Sequence, residues 1–262
     1  MSETSKPNLM IGTKIPIITY HSIDDSGSVV STSPAVFLRQ MKYLSEAGYT
    51  TMPLQGLIST FKNNNELPAK PVVLTFDDGF KNFYSHAFPV LSEYGFCATV
   101  FLVTDFCGRH NDWSGNPPEL PRSELLSWSE IKVLSDAGIE FGSHTKTHPD
   151  LTQLSRAEAE EEVIASKAAI EDKLGKEAVT FAYPFGRYNH AVKDIAAANF
   201  DATCSVALGK MTERSDFSSL ERIDAYYLQN QRLLEMLQSK TFDRYMNFRQ
   251  ILRSAKSFVN GN

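Results

Sequence analysis

Short β-branched and aromatic runs alternate with amphipathic stretches along almost the whole chain, and this alternation constrains the fold more than any other feature. "IPIITY" (15–20) reads as a strand. In "PAVFLRQMKYLSEAGY" (34–49), Phe37, Leu38, Met41 and Leu44 share one helical face and Gly48 closes the helix. "VVLTF" then leads into the amphipathic "FKNFYSHAFPVLSEYG", and "ATVFLVT" (98–104) into a polar Gly/Pro-rich loop at 108–122. "WSEIKVLSDAG" precedes "IEFGSH", and a long helix opens on a capping box of Ser155 and Glu158 and runs to Gly175. "VTFAYP", a helix over "HAVKDIAAANF", the strand "DATCSVA" and a helical tail complete the order. Strands that alternate with helices must be joined by crossovers, which predicts a parallel sheet, and this many units favour a barrel over an open sheet.

The 262 residues, 42% of them hydrophobic, suffice for one large core. A single domain over 1–262 is expected, with a core at about 15–225 and a helical C-terminal tail at 230–256. A net charge of −5 and the lack of a basic stripe exclude a dedicated nucleic-acid surface. No stretch reaches the roughly 18 apolar residues of a membrane span, and "MSETSKPNLM" has no signal-type apolar run. Cys97, Cys107 and Cys204 are odd in number and lack metal-type spacing, so the expectation is a reduced, cytoplasmic protein, or an extracytoplasmic one if a leader has been removed. The sequence does not fix the oligomeric state.

Polar residues with chemistry to offer gather where the strands end. His21 follows "IPIITY", Asp77 and Asp78 follow "VVLTF", His144 and His148 follow "IEFGS", and "PFGRYN" follows "TFAY". In a parallel barrel the carboxyl ends of all strands open on one face, so these distant residues converge there. An Asp-Asp-Gly triplet is by itself an ordinary turn. Two histidines four apart can share a helix face or turn inward from a tight loop; with one carboxylate, Asp77 or Asp78, they form a facial triad suited to Zn²⁺ or a similar ion.

"TFDDG" (75–79), "SHTKTH" (143–148) and "AYPFG" (182–186), in this order and spacing, resemble the polysaccharide deacetylases, the NodB-homology or carbohydrate esterase family 4 domain. The match spans about residues 15–225. The resemblance implies a NodB-like, distorted (β/α) barrel of about seven parallel strands. It also implies that Asp77 is the general base and that Asp78, His144 and His148 hold one divalent ion, Zn²⁺ first, with Co²⁺ or Ni²⁺ as alternatives.

The chain departs from the family pattern twice. The family's catalytic-acid histidine lies in a late motif, yet no histidine occurs here after residue 200; "ITYHSIDD" (18–25) instead resembles the permuted arrangement of exopolysaccharide poly-N-acetylglucosamine deacetylases, which makes His21 the candidate acid. The arginine that many members carry two residues before the proline, where it holds the catalytic aspartate, is Ala182 here. Arg222 in "LERIDAY" and Arg187 are the candidate replacements, although each reads as a surface or rim charge.

The reaction these residues imply is hydrolysis of an N-acetyl amide on an amino sugar in an oligo- or polysaccharide. Water is a poor nucleophile and the amide a poor electrophile, and a divalent ion improves both. Asp77 would take the proton, the Phe185 N–H would help hold the oxyanion, and His21 would protonate the leaving amine. Trp113, Trp128, Tyr188 and Pro184 are the substrate-binding candidates. Two alternatives remain: a metal-independent, allantoinase-like C–N hydrolase, and a non-catalytic carbohydrate-binding barrel, which the missing arginine favours.

Overall fold

The computed structural model describes residues 12–117 and 119–259. The expectation for the first ten residues therefore lies outside the described residues. Ten strands are present among those described: β1 (Ile17–Tyr20), β2 (Ser22–Ile23), β3 (Ser31–Thr32), β4 (Thr50–Met52), β5 (Pro71–Phe76), β6 (Thr99–Leu102), β7 (Glu140–Ser143), β8 (Thr180–Ala182), β9 (Ala202–Leu208) and β10 (Leu220–Asp224). The helices are α1 (Pro34–Glu46), α2 (Leu54–Lys62), α3 (Phe88–Glu93), α4 (Trp128–Asp136), α5 (Arg156–Leu174), α6 (His190–Asn199), α7 (Ala225–Leu228), α8 (Gln231–Glu235) and α9 (Lys240–Val259).

Seven strands close a parallel barrel in the order β1, β5, β6, β7, β8, β9, β10, with β10 returning to β1. This is the distorted, seven-stranded (β/α) barrel expected from the alternation and the resemblance. The short strand β4 pairs only with the amino-terminal part of β5, Thr50–Met52 against Pro71–Val73. In the register of β1 and β5, Tyr20 lies opposite Phe76, so the next residue on each strand, His21 and Asp77, emerges at the same level.

Successive strand side chains point to opposite faces. One set, including Ile17, Val73, Phe101, Ala182, Cys204 and Leu220, forms one apolar cluster. The alternate set, including Ile18, Leu74, Phe76 and Val100, packs with Phe37, Met41 and Leu44 of α1. A polar layer follows toward the carboxyl end, where Thr19 and Thr75 share a 2.7 Å hydrogen bond and Arg222 donates to Thr75.

The segment after "TFDDG" is not one continuous helix. It makes a π-helical turn at Phe83–Ala87 and restarts as α3, because Pro89 supplies no N–H to an upstream turn. The C-terminal tail is no appendage: Leu237, Phe242 and Met246 are buried in the main core. No helix among the described residues is long and apolar enough to cross a membrane.

Candidate active site

The carboxyl ends of the strands surround a cavity of about 150 Å³ lined by His21, Asp77, Asp78, Trp113, His144 and His148, together with Tyr183, Phe185 and Val206. Asp77 and Asp78 are both buried at its floor. Asp78 stands at φ 71°, and Gly79 after it at φ 72°, where an added Cβ would come within 2.9 Å of Leu102. This left-handed turn, costly for a non-glycine residue, separates the surroundings of the two carboxylates.

Asp77 faces Arg222. The guanidinium donates Nη1 to Oδ1 and Nη2 to Oδ2, each at 2.8 Å, and Nε to the Ser205 carbonyl at 2.9 Å. Arg222 is 2% exposed, so the surface or rim position expected for it is wrong. It sits on β10 beside the polar layer, and its charge is matched inside the barrel instead of in water. Burial pushes the Asp77 carboxyl up, but the Arg222 charge and hydrogen bonds outweigh it and hold Asp77 well below the usual carboxylate range. His21 Nε2 lies 3.8 Å from Asp77 Oδ2 on the open side of the cavity.

Asp78 faces the two histidines. His144 Nε2 and His148 Nε2 each lie 3.4 Å from Asp78 Oδ1, and the three ligating atoms fall within 4.8 Å of one another. Ligands bound tetrahedrally at about 2.1 Å stand about 3.4 Å apart, so the two Asp78 separations suit one ion of the Zn²⁺ type. His144 Nδ1 lies 2.7 Å from the Ala182 carbonyl. A carbonyl only accepts, so Nδ1 carries a proton, and Nε2 is the nitrogen that would ligate an ion. His148 has no such support; its Nδ1 is buried without a partner, and its ring is held between Trp113 and Phe185, each at a centroid distance of 4.6 Å. Burial pushes the His148 imidazole down to about 3, which keeps it neutral, as a ligand must be.

The histidine loop is not helical. Thr145 and His148 are at φ 69° and 61°, which turns both rings inward. Glu162 of α5 fastens the loop: its carboxylate accepts Lys146 N–H at 2.9 Å, Thr147 N–H at 2.8 Å and the Thr147 hydroxyl at 2.6 Å. Sequence reasoning missed Glu162, since Glu160, Glu161 and Glu162 look alike until α5 is docked.

Phe185 is likewise left-handed, at φ 55°. Gly186 N–H is spent on Tyr183 O and Arg187 N–H on Pro184 O, which leaves the Phe185 N–H outside the turn's own bonds. A Cβ at Gly186 would lie 2.2 Å from Val206, so only glycine fits there. Trp113 reaches the cavity because Asn111, 2% exposed, ties its loop through Ser123 N–H and Pro121 O.

Three substrate-binding expectations do not match the geometry. Trp128 is the first residue of α4, whose start the Ser127 capping box fixes, and it packs half-buried against the main core away from the cavity. Tyr188 stacks on Tyr183 and lines a neighbouring cavity. Pro184 is buried beneath the turn and does not line the catalytic cavity. Arg187 is a rim charge as expected, paired with Asp150 at 2.8 Å.

A family model described as polysaccharide deacetylase matches residues 64–201, more than half of the chain. The chain belongs to the polysaccharide deacetylase family. The Bacillus subtilis (strain 168) protein YxkH is 30% identical over 187 residues, which are 71% of this chain and 60% of that one. A poly-β-1,6-N-acetyl-D-glucosamine N-deacetylase of Staphylococcus aureus (strain MSSA476) is 28% identical over 171 residues, 61% of this chain and 55% of that one. The chain thus spans about 55–60% of the length of these relatives. Among solved structures, the Streptococcus pyogenes deacetylase PplD in complex with acetate superposes with a TM-score of 0.72 at 29% identity, over 81% of this chain and 92% of that one. In this chain the Asp-Asp pair and both histidines meet at one cavity, and an arginine reaches the first aspartate from β10.

Proposed function

We propose that the protein is a metal-dependent N-deacetylase that hydrolyses the acetamido group of N-acetylglucosamine units in an oligo- or polysaccharide. The observation that carries this reading is the division of labour between adjacent carboxylates: Asp77 is locked to Arg222 and open to His21, while Asp78 is turned to His144 and His148.

Asp78, His144 and His148 would hold one divalent ion, with Zn²⁺ the best fit to an N,N,O donor set. When bound, such an ion polarises the acetamido carbonyl and lowers the pKa of water. Asp77, kept ionised by Arg222, accepts the proton of the attacking water. The Phe185 N–H at the cavity wall donates to the oxyanion as it develops. His21, on the open side of Asp77, delivers a proton to the amine nitrogen, which cannot leave as an anion near neutral pH.

The cavity is narrow for a ligand pocket, at about 150 Å³ against roughly 300–1,000 Å³ for drug-sized ligands. It suits the acetamido group, while the sugar chain lies outside along a rim that includes Val29, Phe185 and Val206. The relatives that act on poly-N-acetylglucosamine support that substrate class. The non-catalytic alternative leaned on the missing arginine, and Arg222 removes that support.

The test is metal content by elemental analysis, followed by acetate release from β-linked N-acetylglucosamine oligomers with and without chelator. Acetate release that chelation abolishes and Zn²⁺ restores is the expected result. Metal-free protein with full activity would favour the allantoinase-like alternative instead.

A further inference from the structure

The last helix, α9, has two faces. Phe242 and Met246 are buried against the barrel, whereas Phe248, Ile251 and Leu252 are 58%, 64% and 46% exposed. Spacings of three and four residues put these three side chains on one side of the helix. The same helix departs from the rest of the chain in charge. Residues 240–259 hold five cations, Lys240, Arg244, Arg249, Arg253 and Lys256, against one anion, Asp243, a net of +4 in a chain of −5, which leaves −9 on the remainder.

Internal contacts account for only part of this basic set. The Arg249 guanidinium lies over the Tyr227 ring, and Arg253 donates to the Val206 carbonyl. Asp243 is taken by Lys14 and Lys210. Among the described residues, neither Lys240 nor Arg244 forms an ion pair. A solvated helix face has no use for three large apolar side chains, and an acidic protein has no structural need for a cationic end.

We propose that the outward face of α9 docks on an anionic lipid bilayer, with Phe248, Ile251 and Leu252 entering the headgroup boundary and the cations meeting lipid phosphates. A basic amphipathic helix that is too polar to span lies in the interface in this way. A strip three side chains wide is small beside the roughly 1,200–2,000 Å² that a stable protein pair buries, whereas a lipid surface needs only such a strip with cations beside it. Because Arg253 holds the carbonyl of Val206, and Val206 lines the catalytic cavity, docking brings the mouth of the site next to the headgroups. The proposal does not rest on the deacetylase reading.

The experiment is co-sedimentation of the full chain with vesicles of phosphatidylcholine mixed with phosphatidylglycerol, against phosphatidylcholine alone, at low and high salt. Binding to the mixed vesicles that weakens with salt is expected. Ile251→Glu with Leu252→Glu should cut it by at least about tenfold, and Arg244→Ser by a smaller factor. Unchanged melting of these surface variants by circular dichroism separates lost docking from lost fold, and Arg244→Ser, which buries nothing, serves if the double variant melts early. No binding to the mixed vesicles, or equal binding by wild type and variants, overturns the proposal. A dimer in light scattering that Ile251→Glu dissolves would assign the face to a second copy and overturn it equally.

Discussion

Arg222 and Asp77, 145 residues apart in the chain, meet in a bidentate pair with both oxygens of the carboxylate at 2.8 Å from a guanidinium nitrogen. A planar fork on a planar carboxylate fixes orientation as well as charge. Arg222→Lys keeps the charge and loses the fork, so activity should fall about 10- to 100-fold with little change in melting temperature. Arg222→Ala leaves a buried, unmatched carboxylate and should destabilise the fold by about 3–5 kcal/mol in denaturant titration. Equal activity of the lysine variant and wild type would remove any orienting role for the fork.

The adjacent aspartates should fail differently. Asp77→Asn is expected to retain the ion and lose at least about 100-fold in rate. Asp78→Asn should lose the ion, as should His144→Ala and His148→Ala. Elemental analysis of the purified variants decides, and ion loss from Asp77→Asn alone would mean the two roles are exchanged.

His21→Ala should leave fold and metal content intact and lower amide hydrolysis by about 10²- to 10⁴-fold. An ester substrate should suffer less, because an alkoxide leaves with less help than an amine. Unchanged amide hydrolysis would leave the site without its acid.

Glu162→Gln tests the histidine loop. The amide oxygen can still accept both N–H bonds that Oε2 now takes, but the amide nitrogen cannot accept the Thr147 hydroxyl and the negative charge is lost, so metal affinity should drop about 10-fold while the barrel melts nearly as before. Competition with a chelator of known affinity would measure it, and an unchanged affinity would mean the loop holds its shape without Glu162.

Glu140, at the amino end of β7, gives a pH effect away from the site. Burial lifts its carboxyl to about 7, although it accepts Gln55 N–H and the Thr180 hydroxyl. The folded protein thus keeps a proton that the unfolded chain releases near 4.5, so the contribution of Glu140 to stability is full below about pH 4.5 and declines as pH rises to about 7, by at most about 3 kcal/mol. Glu140→Gln should flatten that decline in urea midpoints compared at pH 5 and pH 8. Parallel declines in both proteins would assign the effect to other groups.

The barrel is legible in the sequence because period-2 and period-3.6 patterns alternate without interruption, and Asp77, Asp78, His144 and His148 are exposed to view because each stands at or just beyond the end of a buried strand. His21 is visible for the same reason. Arg222 reads as a rim charge because an arginine inside a strand normally faces water; only closure of the barrel, which sets β10 beside β1, puts a carboxylate in front of it. Trp128 and Tyr188 read as sugar platforms from their type and neighbourhood. Aromatic rings pack wherever apolar surface is offered, and here a capped helix and the Tyr183 ring offer it first. Glu162 leaves no trace, because nothing local distinguishes the one acid of a charged helix that will face a loop.

The place of β10 between β9 and β1 also sets an order of events during synthesis. As the chain leaves the ribosome, β1 can pair with β5 on one edge, but its other edge stays open until Leu220–Asp224 has been made. That final strand is the keystone of the ring and also the carrier of Arg222. Until it is seated, the charge on Asp77 has no partner and the barrel has a gap; afterwards both are satisfied at once. A nascent chain that stops short of Leu220 has neither a closed wall nor a partner for the Asp77 carboxylate, so under the proposed mechanism unfinished copies of this protein are inert as well as open.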